Sequence, residues 1–289
     1  MRVLITGAGG MVARALAAHC AERGDEVLAH DRASLDITRP EAVRAVCERE
    51  RPETIINCAA WTDVDGCELN PERALSVNAE AVEILAAHSR LVGASFVTIS
   101  TDYVFDGDKT GFYTQRDDPE PRTVYGIAKL QGERRGFFTI ARTIVVRTGW
   151  IFGAGGKNFL ATVVERARRG ERLKAIGDAY GTPTYAPHLA ARLRELAERD
   201  LPGIYHVVNA GEGTSFYEFA RAAAQAAQVE KIELESVAMD SLSRPAPRPR
   251  NSRLRCLLSP ALGLSALPDW RDALSEFASG GEAAARGAD

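Results

Sequence analysis

Met1-Arg2-Val3-Leu4-Ile5-Thr6 runs directly into Gly7-Ala8-Gly9-Gly10-Met11-Val12-Ala13, and the reading of this stretch decides the fold. A short apolar strand is turned by glycines into a helical segment that extends to about Arg23. A turn without Cβ atoms lets backbone come close to a pyrophosphate, and the helix behind it offers that anion unpaired N–H groups and a positive dipole end. Gly7 and Gly10 hold the first and middle places of a Gly-x-x-Gly-x-x-Gly pattern, and Ala13 takes the last, where a small side chain still lets helix and strand pack. After a second apolar run, Glu26-Val27-Leu28-Ala29-His30, Asp31 stands at about the distance where an acid receives ribose hydroxyls. A tight turn with a capping acid is the plainer alternative, but strand, glycines, helix, strand and acid come in the order a dinucleotide site requires.

Alternation continues outward from this unit. A helix is expected from about Glu41 to Glu50 and a strand over Thr54-Ile55-Ile56-Asn57-Cys58-Ala59-Ala60. Asn70-Pro71-Glu72 then opens a helix expected to reach His88, with a cap, a proline in the first turn and an early acid. Strands follow over Ser95 to Ser100 and Thr143 to Arg147. Strands and helices in this order predict an α/β fold, a Rossmann-type doubly wound parallel sheet. Residues 1–150 are expected to form the dinucleotide-binding Rossmann domain. Residues 151–289, richer in loops, are expected to form a smaller, mainly substrate-binding region with some elements returning to the sheet. Gly153-Ala154-Gly155-Gly156-Lys157-Asn158 reads as a connection with Asn158 as a helix cap, a second phosphate cradle being the alternative.

Composition agrees with this class. The chain has 289 residues, 45% apolar and 26% charged, and can bury a sizeable core. A net charge of −3 offers nucleic acid no general attraction, and no apolar run is long enough to span a bilayer. An odd set of cysteines, Cys20, Cys47, Cys58, Cys67 and Cys256, lacks Cys-x-x-Cys spacing, and no charged region leads a signal core. The expectation is a cytoplasmic protein with reduced thiols. The histidines are scattered without ligand spacing, so no metal site is expected.

The chemistry-bearing stretch is Ser100-Thr101-Asp102-Tyr103-Val104-Phe105, at a strand end, together with Tyr125-Gly126-Ile127-Ala128-Lys129. Tyr125 and Lys129 are four apart and share a helix face, where the ammonium is expected to bring the phenol pKa down from about 10. A phenol so tuned can pass a proton near neutral pH. Tyr-x-x-x-Lys by itself is common as a surface pair, and only its context lifts it.

These segments, with Asn57 to Asp65, Arg147-Thr148-Gly149-Trp150 and Arg248-Pro249-Arg250-Asn251-Ser252-Arg253-Leu254, together resemble the dTDP-4-dehydrorhamnose reductases of the extended short-chain dehydrogenases, over nearly the whole chain. The resemblance implies NADH- or NADPH-dependent reduction of the C4 ketone of a nucleotide-linked 6-deoxy-4-keto sugar. Tyr125 would donate the proton, and Lys129 would tune it and hold the nicotinamide ribose. Thr101 would bond the same sugar oxygen, Asp102 would orient the ring, and Trp150 would lie against the sugar, a plain core role being the alternative. Gly10, Met11, Val12, Asp31, Asp36, Ile37, Ala60, Trp61 and Thr62 would surround the cofactor. Asp31 suits NAD while Arg32 beside it suits the extra phosphate of NADP, so both coenzymes stay open. Some members of the family form a homodimer with Mg²⁺ held by carboxylates, one of them early in the first helix. Ala15 stands at that position here.

Prolines at 245, 247 and 249 keep Arg244, Arg248, Arg250, Arg253 and Arg255 on extended backbone. A charge run is usually a solvated face, but guanidinium forks bind phosphate, and a nucleotide-sugar carries a pyrophosphate. Arg248 and Arg253 are taken as the clamp. Two rival readings remain: another nucleotide-sugar epimerase or dehydratase of the superfamily, and a non-catalytic regulatory subunit on the same fold. Dehydratases of this kind have Asp-Glu after the threonine, whereas Tyr103 follows Asp102 here.

Overall fold

Successive side chains of the first strand part to opposite faces of a sheet. In the computed structural model, which describes residues 1–155, 159–229 and 232–286, Val3 and Ile5 of β1 (Arg2–Thr6) enter one apolar core while Leu4 enters another. The same split separates Ile56 from Ile55 in β3 (Thr54–Asn57) and Val97 from Phe96 in β4 (Ser95–Thr101). With β2 (Glu26–His30), β5 (Thr143–Thr148) and the later strand Gly203–His206 these make a six-stranded sheet, ordered Gly203–His206, β5, β4, β3, β1, β2, in which every neighbouring pair is parallel. One face is covered by α1 (Met11–Glu22) and the helix Ala186–Arg199, whose Leu189, Leu193 and Leu196 join Val3 and Leu16. On the other face Val43 and Val46 of α2 (Pro40–Glu50) and Leu85 of the helix Ala81–Val92 meet Leu4 and Phe96. Buried on both sides, the central strands read as continuous apolar runs, as parallel sheets require.

Two boundaries and one internal turn differ from the expectation by more than a residue. The strand expected through Ala60 stops at Asn57, because Asn57 Oδ1 accepts from the backbone N–H of Ala59 at 3.2 Å and bends the chain away. The helix expected from Asn70 to His88 continues to Val92, where Gly93, at φ 76°, supplies the left-handed cap. Within it Ser76–Glu80 form a π-helical turn between α-helical Pro71–Leu75 and Ala81–Val92. The expected cap Asn158 lies outside the described residues. Past residue 150 a further core of Phe152, Leu160, Phe219, Trp270 and Leu274 forms, and Ser215 caps its helix by accepting from the Glu218 N–H at 3.1 Å.

The π turn packs against the helix that carries Tyr125, Val124–Thr139. A Cβ at Gly132 of that helix would lie 2.3 Å from the backbone oxygen of Asn78. Helix propensity alone favours Gly132→Ala by about 1 kcal/mol. Overpacking against backbone is expected to reverse the sign, for a net loss of about 1–3 kcal/mol in urea unfolding. A variant as stable as the parent would show that the two helices do not need this close approach.

Candidate active site

The carboxyl ends of β1, β3, β4 and β5 surround one cavity of about 430 Å³. Its first wall is the glycine turn. Gly7 sits at φ 71°, and a Cβ there would stand 2.9 Å from both Cα and N of Ala59, so only glycine allows this approach. Gly10 precedes α1 with no side-chain cap, and Gly10, Met11 and Val12 line the cavity. The end of a helix whose N–H groups no side chain caps, behind a turn with glycine at 7, 9 and 10, fits the pyrophosphate of a dinucleotide. Ala60 and Thr62 border the same space.

Other residues expected around a cofactor do not line this cavity. Asp31 Oδ1 accepts from the backbone N–H groups of Ala33 at 3.0 Å and Ser34 at 2.9 Å; bonds to Ser34 hold its carboxyl below the usual range. Asp36 likewise accepts from the Thr38 hydroxyl at 2.6 Å, which lowers it too. Arg32 is exposed, and Ile37 is packed in the core beside Leu35. Trp61 is held by Asn78, whose Oδ1 accepts from the Trp61 N–H at 2.9 Å and whose Nδ2 donates to the Trp61 carbonyl at 3.0 Å. Asn78 had no signal in the sequence beyond its place in a helix.

Thr101, Asp102, Tyr125 and Lys129 all border the cavity, as does Tyr103, whose ring meets that of Tyr125 edge-on at 5.8 Å. Thr101 Oγ1 donates to Asp102 Oδ1 at 3.0 Å. Burial pushes Asp102 up to about 6, against the pull of the Ser252 and Thr101 hydroxyls. Its carboxyl leans on Gly149, where a Cβ would stand 2.4 Å from Oδ2.

The expected effect of Lys129 on Tyr125 is not what the structure shows. Burial raises the Tyr125 phenol above its ordinary value, with the Thr101 hydroxyl opposing and the Asp102 charge adding to the rise. Lys129 directs its Nζ to the Ile99 carbonyl at 2.6 Å, and burial pulls it down to about 8. Sharing a helix face therefore did not give the ammonium the contact that lowering the phenol requires. Desolvation dominates both groups.

At the far end of the cavity, Trp150 adopts φ 50° and stacks on Phe216 with ring centroids 3.7 Å apart. It is a cavity wall and also packs against the core of Phe152, Phe219 and Trp270. The arginine loop divides. Arg248 pairs with Asp65 at 2.9 Å and shares a small adjoining cavity with Arg244, Tyr103, Trp150 and Ser252. Arg253 is not brought to Arg248's cavity: it lies over the rings of Phe112 and Tyr180, with Nε donating to Asn251 Oδ1 at 2.8 Å. Arg244, named in that loop but not taken as a member of the clamp, is Arg248's neighbour there instead.

Among the described residues no group of three or more His, Cys, Asp and Glu is arranged to hold a metal ion, and no helix is long and apolar enough to cross a membrane. Ala15 on α1 has no donor atom for Mg²⁺, so the carboxylate scheme does not fit this chain.

Comparison with known proteins agrees with this arrangement. Residues 1–281 match the family model described as the RmlD substrate binding domain. A dTDP-4-dehydrorhamnose reductase of Streptomyces griseus is 39% identical over 95% of this chain and 92% of its own length. A Streptomyces antibioticus protein named as a probable dTDP-4,6-dihydroxy-2-methyloxan-3-one 4-ketoreductase is 37% identical over 96% of this chain and 94% of its own. The crystal structure of a dTDP-4-dehydrorhamnose reductase from Bacillus anthracis in complex with NADP superposes with a TM-score of 0.92 at 34% identity, covering 96% of this chain and 98% of that one. With its parallel sheet and the glycine cradle at the carboxyl end of the strands, the chain belongs to the dTDP-4-dehydrorhamnose reductase family of oxidoreductases.

Proposed function

We propose that the chain reduces the C4 ketone of a dTDP-4-dehydro-6-deoxy sugar, dTDP-4-dehydrorhamnose first among them, with Tyr125 as the proton donor. The observation that carries this reading is that Thr101, Asp102, Tyr125 and Lys129 border the same cavity as Gly10, Met11 and Val12 of the dinucleotide cradle. The chemistry that a reduced nicotinamide supplies when bound is a hydride for the ketone carbon. The carbonyl oxygen then needs a proton, and a phenol that burial keeps protonated carries one at neutral pH. Thr101 turns its hydroxyl from Asp102 to donate to the same oxygen, and Asp102 accepts from a ring hydroxyl and orients the sugar. Lys129 holds the nicotinamide ribose, and solvent reprotonates the phenolate left after transfer.

Arg248 and Arg244 take the pyrophosphate, Arg248 turning from Asp65 to do so. Both NADPH and NADH serve: Arg32 lies exposed beside Asp31 to meet the extra phosphate, and the NADP complex of the Bacillus anthracis relative supports that choice. The Streptomyces antibioticus relative, by its name a 4-ketoreductase for another dTDP-linked ketone, supports reduction at C4 while leaving several sugars as candidates.

Loss of reduced-nicotinamide absorbance with dTDP-4-dehydrorhamnose tests the assignment. Tyr125→Phe is expected to bind coenzyme as the parent does while turnover falls by about two to four orders of magnitude. Near-parental turnover by that variant at saturating coenzyme would mean that the proton comes from elsewhere, and no ketone reduction by the parent would leave the regulatory-subunit reading. Arg248→Ala is expected to raise KM for the nucleotide-sugar by about one to two orders of magnitude with coenzyme affinity little changed, as loss of a charged hydrogen bond implies. An unchanged KM would return Arg248 to its ion pair with Asp65.

A further inference from the structure

Tyr125, Lys129 and Glu133 stand one turn apart on the buried face of the Val124–Thr139 helix, and the function proposed above uses only the first two. Glu133 is 3% exposed and is gripped from two strands. Arg147 of β5 holds it in a fork, Nε at 3.0 Å from Oε1 and Nη2 at 2.7 Å from Oε2, and Ser100 of β4 donates its hydroxyl to Oε1. The carboxylate is thereby fixed one turn below a lysine that is itself 4% exposed.

That lysine has little else to support its charge. Its Nζ donates to the Ile99 carbonyl, a dipole rather than an anion, while burial opposes ionisation. The groups facing it are few. On its own helix are Tyr125, kept protonated by burial, and Glu133. From the segment after β3 comes the Cys58 thiol, pushed up to about 12 by burial and so neutral. From β4 and its end come the hydroxyls of Ser100 and Thr101, and Asp102, whose Oδ1 is bonded to Thr101. From β5 comes Arg147, whose charge is turned onto Glu133. Among these Glu133 exerts the largest favourable pull on the ammonium.

We propose that Glu133 is a positioning residue of this active site: oriented by Arg147 and Ser100, its carboxylate keeps Lys129 in the ammonium form beneath Tyr125. The proposal rests on the roles given to Tyr125 and Lys129 above and deepens them. An ion pair that served only packing would leave the titration of Lys129 unchanged when both its members are replaced by neutral groups.

The test follows Lys129 directly, by NMR titration of the full chain carrying ¹³C-labelled lysine, with its signal assigned by its loss in Lys129→Met. Removing a negative neighbour disfavours the charged form, so in Glu133→Gln the Lys129 midpoint is expected to fall by about one pH unit. Arg147→Met leaves the carboxylate unbalanced and is expected to raise it. Each single change strands a buried charge and can unfold the protein, so Glu133→Gln/Arg147→Met, which removes both, is the deciding variant; it is expected to keep the parental near-ultraviolet circular dichroism and show a lowered midpoint. Parental titration of Lys129 in the folded double variant overturns the proposal. Coenzyme affinity gives a second readout, expected to weaken in Glu133→Gln at a lower pH than in the parent; an unshifted pH dependence counts against the role of Glu133. Failure of the proton-donor reading shows separately, as turnover by Tyr125→Phe, and leaves the Lys129 titration able to judge Glu133.

Discussion

Asn57, at the end of β3, ties that strand to both of its neighbours, and the site depends on that clasp. Its Oδ1 accepts from the Thr6 hydroxyl at 2.7 Å and its Nδ2 donates to the Thr98 hydroxyl at 3.1 Å, joining β1 and β4 to β3 where the cavity begins. The same Oδ1 takes the Ala59 N–H, which turns the chain so that Ala59 backbone lies against Gly7. Each contact presupposes the next: without the turn at Ala59, Gly7 has nothing to approach, and without Gly7 the bend collides with a side chain. Thr6, Asn57 and Thr98 are buried, and the low dielectric strengthens a satisfied network while making an unsatisfied one costly. Glycine turn, β3 loop and the Thr101 end of β4 are held in one frame before any ligand arrives.

Inside that frame, burial rather than pairwise attraction governs the titrating groups. Tyr125 rises, Lys129 falls and Asp102 rises to about 6, each chiefly because water is withdrawn. For a reductase these directions suit the role proposed for Tyr125, which keeps its proton, while the carboxyl of Asp102 changes charge within reach of neutral pH. The buried pair of Glu133 and Arg147 is the counterweight. Removing one partner of such a pair typically costs about 3–5 kcal/mol, whereas replacing both can be neutral.

What the sequence made legible was what is local in it. The glycine turn, Asp31 after its strand, and Tyr125 four residues before Lys129 are spacings within one element or across one turn, and the alternation that gives a parallel sheet is a sum of such spacings. What it hid were partners brought from afar. Asn57 meets residues 51 and 41 positions away, and Asn78 reaches 17 back to Trp61. The Arg244 to Arg255 loop was correctly read as non-helical, but which guanidinium faces the cavity depends on Asp65, Phe112 and Tyr180 from other parts of the chain. The helix pattern at Ser76–Glu80 could not reveal a π turn, because apolar periodicity barely changes over five residues.

Trp150 shows how the second half of the chain acts on the first. A left-handed backbone costs a residue with a side chain about 1 kcal/mol or more, and nothing in the local sequence repays it. The compensation is tertiary: Phe216 stacks on the indole, the Thr184 N–H donates to the Trp150 carbonyl at 3.1 Å, and Gly181 leaves the space that a Cβ, 2.1 Å from Nε1, would close. Phe216 and Gly181 thereby set where the indole stands as the wall of the cavity that Tyr125 enters from the Rossmann side. Since Gly181 also pairs with Thr214 across a two-stranded ribbon, a change in that ribbon would move the wall without touching the cradle, Thr101 or Lys129. The shape of that end of the cavity is therefore adjustable apart from the groups at its other end.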